Sequence, residues 1–291
     1  MENVILDPIE EQYARIQASK KSETQKRKVE YDVKNYLNVK LSGSESEKKI
    51  TIRILKLTPD SKTPFAEVHT HYLPSSKKTF ICTKLTEDLP NGTDKNCPFC
   101  DIREQAKIEQ KGADPQKWEK LKEIYKQNAS MLNYIVRVVD RSDESFGIKF
   151  WKMSQATYES IYDIYTNLKE DGNDLFDVEK GFDLVLTLKK KDGKSKITNI
   201  SAKTKSTPLA DSTERIYQLV NDEKVWTDVY GIKPFEYLEI MINGGTPFFD
   251  KSLMKWIKKE DVKNDDDEED GEIEEESNQS ESYQTEDDLP F

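Results

Sequence analysis

Histidine and cysteine are nearly absent from this chain of 291 residues, which holds two of the first and three of the second. An odd cysteine count cannot pair off completely, and no N-terminal stretch reads as a secretory signal. A disulfide-stapled extracellular framework is therefore not expected, and a reducing cytoplasm is. No run approaches the roughly 18 apolar residues of a transmembrane helix, so no membrane partner is predicted. No Gly-rich phosphate loop, nucleophile elbow or His-Glu-x-x-His pattern occurs, and no internal repeat is visible.

The rare residues that do occur are clustered. All five lie between His69 and Cys100, in the order His69, His71, Cys82, Cys97, Cys100, the last two framing Cys97-Pro98-Phe99-Cys100. A Cys-x-x-Cys turn preceded by another Cys and a His is a tetrahedral Zn2+ ligand set, and four protein ligands make a closed, structural site. The predicted site is one structural zinc on Cys82, Cys97, Cys100 and one histidine. His69 and His71 lie two apart on one predicted strand and face the same way. If Leu73 pairs with Phe80 across a hairpin, His71 sits opposite Cys82, which makes His71 the preferred ligand and His69 the alternate.

Charge is divided along the chain. The net charge is −11, but residues 260–291 hold sixteen Asp/Glu and one Lys, which leaves the remaining residues at +4. A segment so charged and so poor in apolar residues is expected to be disordered. It ends in Asp287, Asp288, Leu289, Pro290 and Phe291, an acidic peptide with an apolar tip and a free carboxylate, suited to docking on partner proteins.

Between these landmarks the pattern is mixed. Residues 1–18 read as an amphipathic helix, followed by a basic run over 20–28. Alternation over 49–57 predicts a half-buried strand with Ile50, Ile52 and Ile54 inward and Arg53 outward. A hairpin is expected over 65–73 and 79–84, helix over 98–127, and strands over 132–139 and 147–153. A helix capped by Ser154 should carry Tyr158, Ile161, Tyr162 and Tyr165 on its face. Asp192-Gly193 should turn a hairpin over 182–189 and 195–201. Residues 213–243 read as mainly helical, with a short segment over 247–260.

The resulting class is α+β: a small antiparallel barrel or curved sheet, of which the OB-fold-like barrel is one solution, with peripheral helices and an acidic tail. The expected divisions are 1–30 (N-terminal helix and basic element), 31–259 (core, with the zinc subdomain at 65–105) and 260–291 (tail). Such barrels bind single-stranded nucleic acid with a cationic groove and exposed aromatics. Arg53, Lys126, Tyr134, Arg137, Lys149, Trp151, Lys152 and Lys196 are the candidate DNA contacts. Phe150 and Trp151 are adjacent on a strand and face opposite ways, and Trp151 is expected to be the exposed one.

The residues Pro64-Phe65-Ala66, His71, Cys82, Cys97-Pro98-Phe99-Cys100, Ser130 to Asp140 and Gly147 to Lys152 resemble the replicative single-stranded-DNA-binding proteins of T-even-like bacteriophages. Two departures stand out: the gap between Cys82 and Cys97 is longer, and Met131 and Leu132 stand where that family has aromatics. The resemblance implies a non-catalytic protein that coats single-stranded DNA cooperatively, copy against copy, in replication, recombination and repair in a host cytoplasm. It also implies partners of the polymerase, helicase-loader and recombinase classes bound through the tail. The Asp-Asp-Leu-Pro-Phe end resembles the tip of bacterial single-stranded-DNA-binding proteins. Two other readings compete. A zinc-ribbon adaptor would bind proteins or other nucleic acids. A zinc nuclease or deaminase would need an open metal position and a carboxylate base such as Glu67 or Glu87.

Overall fold

The computed structural model describes residues 33–261. The expectations for the N-terminal helix, the basic element and nearly all of the acidic tail lie outside them. The body is built on a curled, seven-stranded antiparallel sheet that forms a half-barrel, with six α-helices among the described residues.

The strands are β1 (Glu47–Leu55), β2 (Phe65–Leu73), β3 (Lys78–Ile81), β4 (Met131–Asp140), β5 (Ile148–Ser154), β6 (Leu184–Lys191) and β7 (Lys194–Ala202). β4 organises the sheet. One of its edges takes β5 along most of its length. Its other edge is shared, with β2 on the first half (Phe65 opposite Val136) and β1 on the second (Ile54 opposite Val138). β1 continues to β6 and β7, giving the order β3-β2-β4-β1-β6-β7. The β6–β7 turn has Asp192 and Gly193 both at positive φ (54° and 75°), the primed hairpin turn that Asp-Gly favours.

Two cores cover the two faces of the sheet. Ala66, Val68, Ile135, Ile148 and Phe150 lie in one, with Trp226. Ile52, Ile54, Val136, Val138, Trp151 and Met153 lie in the other, with Ile161. The expected alternation of buried and exposed residues therefore fails in β5, where both neighbours Phe150 and Trp151 are at most 1% exposed. Trp151 is not a surface aromatic, because the helix α3 (Gln155–Glu170), capped by Ser154 Oγ accepting from the Thr157 N–H, returns over that face.

Residues 98–127 form two helices rather than one, α1 (Pro98–Glu109) and α2 (Pro115–Gln127). Gly112 at φ 85° and the Asp114 cap, which accepts from the Gln116 and Lys117 N–H groups, separate them. The expected helical stretch 213–243 is likewise divided, into α4 (Thr213–Val220), α5 (Trp226–Val229) and α6 (Phe235–Ile242), the last preceded by Pro234. A two-stranded hairpin, β8 (Pro247–Asp250) and β9 (Lys255–Lys258), ends the body. A third core holds Leu73, Phe80, Cys82, Cys97, Phe99, Cys100 and, from α6, Leu238. It separates the cysteine-bearing insertion from the sheet cores.

Candidate functional site: a Cys/His metal centre and an aromatic groove

The metal-ligand candidates come together. His71 on β2, Cys82 just past β3, and Cys97 and Cys100 at the start of α1 are all buried, and their ligand atoms lie within 4.8 Å of one another. Cys100 Sγ is 3.5 Å from Cys82 Sγ and 3.5 Å from His71 Nε2. A tetrahedron with metal–sulfur bonds of about 2.3 Å separates its ligand atoms by roughly 3.5–4 Å, so the spacing fits a bound metal and is too long for a disulfide.

Local sequence builds this geometry. Cys97 is the N-cap of α1, Pro98 supplies the first-turn φ, and the Asp101 N–H closes on the Cys97 carbonyl at 3.1 Å. The Thr83 hydroxyl donates to the Asn96 carbonyl at 2.6 Å, tying the two cysteine loops together. The His71 ring lies flat on Phe99, centroids 4.8 Å apart and 6° from parallel. The thiols also compete for ionisation. Hydrogen bonds from the Cys100 and Cys97 side chains, with smaller contributions from the Leu85 and Lys84 backbone, hold Cys82 down to about 3. Cys100, facing Cys82 and Cys97, is pushed far up. Ionisation of Cys82 thus opposes that of Cys100, whereas a divalent ion would stabilise both as thiolates. His71 Nδ1 is buried with no hydrogen-bond partner.

The choice of His71 over His69 stands, but not for the expected reason. Leu73 pairs with Lys78 and His71 with Phe80, while the Cys82 N–H donates to the His69 carbonyl at 2.7 Å, so His69 is the residue across from Cys82. The decision comes from burial. Along β2 the even residues Ala66, Val68 and Thr70 are buried first, then the odd residues His71 and Leu73. The strand leaves the sheet core and enters the third core between Thr70 and His71, so His69 stops short of the cluster.

The candidate DNA contacts divide sharply. Arg53 is 1% exposed. Its Nε donates to Asp183 at 2.9 Å, and its terminal nitrogens donate to the Asp177 and Thr207 carbonyls. Arg137, also 1% exposed, donates to the Leu219 and Asp222 carbonyls, satisfying the C-terminal end of α4. Burial lowers the pKa of both guanidiniums, opposed by Asp183 for Arg53 and by Asp222 for Arg137. Lys149 is buried against Asp140 and Asp143 at 3.4 and 3.0 Å. Lys152 and Tyr134 are buried as well, and Tyr134 stacks on Tyr158 at 4.0 Å. Six of the eight candidates, Trp151 included, therefore face inward, where they serve the fold. Lys126 and Lys196 are exposed, and Lys196 pairs with Asp192 at 3.3 Å.

What the sequence did not single out is an aromatic groove of about 320 Å³ between α3 and the loop after β1, lined by Lys56, Lys62, Phe65, Tyr158, Ile161, Tyr162, Tyr165 and Phe176. Phe65 meets Tyr158 and Phe176 edge-on, at 4.9 and 5.9 Å. Tyr165 stacks on Phe176 at 5.5 Å, and Tyr162 is 52% exposed. Burial, then the Glu67 charge, raises the Tyr158 pKa, so its phenol is neutral at physiological pH. Lys56 and Lys62 are exposed at the rim and form no ion pair among the described residues. A second groove of about 560 Å³ opens on the other side of the same loop, shares Lys62 and Phe65, and reaches Leu89 and Trp226. The available signal was the run of tyrosines on the predicted helix after Ser154, too polar at its rim for a plain core face.

Among known proteins, a search of curated chains returned no match. Residues 45–236, about two thirds of the sequence, match the model of the family described as gp32 DNA binding protein like. That stretch spans the whole sheet, the Cys/His cluster and both grooves, and the chain belongs to this gp32-like DNA-binding family.

Proposed function

We propose that this protein coats single-stranded DNA without catalysis, and that the groove between α3 and the loop after β1 takes unstacked bases. The observation that carries the reading is the juxtaposition of Phe65, Tyr158, Tyr162 and Tyr165 with the rim cations Lys56 and Lys62, which form no ion pair among the described residues. Ring faces accept any base by stacking, at about 1–3 kcal/mol each, and lysines follow the phosphates without reading sequence. The curled half-barrel is taken as OB-like, an architecture that suits such strands. Lys126, Lys196 and the other lysines of the β6–β7 hairpin extend the cationic path.

In this reading the His71, Cys82, Cys97 and Cys100 cluster holds one structural zinc, whose role is to fix the third core. The N-terminal region supports cooperative contact between neighbouring copies. The acidic tail competes with DNA for the lysines and recruits replication, recombination and repair proteins of a phage, the tip at Asp287, Asp288, Leu289, Pro290 and Phe291 being the docking peptide. The test is a titration of the protein with poly(dT) and with duplex of equal length across a salt series. Tight, salt-dependent binding to poly(dT), weaker in Tyr162→Ala, is expected. Equal affinity for duplex would overturn the single-strand assignment.

A further inference from the structure

The hairpin that ends the body is unusual for its position. Phe248 and Phe249 are 42% and 37% exposed, and the tip residues Leu253 and Met254 are 57% and 71% exposed. Its fold is nevertheless well determined locally. Asp250 Oδ1 accepts from the Ser252 and Leu253 N–H groups at 2.7 and 3.1 Å, and Trp256 packs edge-on against Tyr237 of α6 at 4.9 Å. Met254 sits at φ 50°, a left-handed conformation that glycine or asparagine adopts more easily. That angle closes the four-residue turn, as Lys77 at φ 55° does between β2 and β3, so the feature left without a role in folding is the exposure of Leu253 and Met254 beside Phe248, an apolar patch of the kind that marks binding surfaces. Lys251 and Lys255 are exposed beside this apolar tip, and neither forms an ion pair among the described residues.

We propose that this hairpin is the docking face for the chain's own segment Asp287-Asp288-Leu289-Pro290-Phe291. The chemistry is complementary, with Leu289 and Phe291 against Phe248, Leu253 and Met254, and Asp287 and Asp288 against Lys251 and Lys255. The acidic run at 265–276 follows the same lysine-bearing strand in the sequence. The reach is also sufficient. The hairpin lies immediately before the tail, and a chain of the 26 steps from Asp261 to Asp287 would span roughly 25–30 Å if it behaved as a coil. A tether of that length holds the tip at a local concentration of millimolar order, so even weak docking is well populated. The proposal does not depend on the single-strand reading. It gives the tip a resting place apart from the aromatic groove, from which a partner protein must take it.

The test uses the full chain carrying Phe291→p-benzoylphenylalanine, irradiated at low micromolar concentration, with the crosslinked peptides mapped by mass spectrometry. Intrachain crosslinks within residues 247–256 are expected. Their yield should drop roughly tenfold in the Leu253→Ser, Met254→Ser double variant, whose changed side chains are exposed, so that its circular dichroism should match the parent. Yield should also fall at 1 M salt, where charge pairing at the surface is screened. Crosslinks to the α3 groove or the β6–β7 hairpin, predominantly interchain crosslinks, an unchanged yield in the double variant, or no crosslink at all would each overturn the proposal.

Discussion

Asp183→Asn separates a structural role for Arg53 from a DNA-contacting one. Asp183 is buried, and its Oδ1 accepts from Arg53 Nε at 2.9 Å and from Arg141 Nε and Nη2 at 3.0 and 2.9 Å. The amide keeps the shape of the carboxylate but removes the charge shared by two guanidiniums whose side chains are 1% and 13% exposed. Removing one partner of a buried pair costs about 3–5 kcal/mol, because the remaining cations stay desolvated. Arg141 can relax toward Glu144, already 3.0 Å away, which puts the expected loss at the lower end, about 3 kcal/mol. In urea unfolding followed by fluorescence, the midpoint should fall by roughly 1–1.5 M at an unchanged slope of about 2–3 kcal/mol/M. The companion Arg53→Met should also lose stability while leaving the salt slope of poly(dT) binding unaltered. A stability loss under about 1 kcal/mol in Asp183→Asn, or a salt slope reduced by about one unit in a fully stable Arg53→Met, would refute the structural assignment.

Further expectations concern the metal, the groove and acid. A thiol-reactive mercurial combined with a chelator should release one zinc per chain and lower Tm. Limited proteolysis should then cut first within 82–105, and Cys100→Ser should purify without stoichiometric metal. Tyr162→Ala should weaken poly(dT) binding by about 5–100-fold with little change in Tm, whereas Trp151→Ala should unfold the protein at lower urea, by about 3–5 kcal/mol. Gly181→Ala should be strongly destabilising, since its Cβ would stand 2.2 Å from the Asp177 carbonyl and 2.7 Å from Arg53 Nη1, which a thermal melt reads directly. For Asp140, burial raises the carboxyl pKa, but hydrogen bonds from Ser142 and the Lys149 charge outweigh it and the pKa is lowered below 3.8. A depressed carboxylate contributes stability above its unfolded value and loses it as pH falls through the folded one. Unfolding at pH 7 and pH 3 should therefore differ less in Asp140→Asn than in the parent.

The parts legible in the sequence are those where chemistry or turn geometry leaves few alternatives. Five rare residues within about thirty positions point to one metal centre, and three thiols with His71 meet there. Asp192-Gly193 and the Ser154 cap define their turns because few residues accept those backbone angles. Layering was not legible. Alternation identifies an exposed face only when one side of a strand meets water, and β4 and β5 are covered on both. Arg53, Arg137, Lys149 and Lys152 were read as surface cations because buried cations are uncommon. Their partners lie far along the chain, such as Asp183 for Arg53 and the carbonyls ending α4 for Arg137. The groove was missed for a related reason. Phe65 and Tyr158 are 93 residues apart in sequence, and only the return of α3 across β4 makes them neighbours.

β2 serves two cores with opposite faces, Ala66 and Val68 on one side and His71 and Leu73 on the other. A slip of its pairing by a single residue would turn every side chain over. Such an error would expose Ala66 and Val68, and in the same motion swing His71 away from the three sulfurs. A metal held there would act as a proofreader of strand alignment, because only the correctly aligned chain offers a complete ligand set. An ion captured late in folding would close off the misaligned alternatives, so that the fidelity of the sheet is secured from a site outside it.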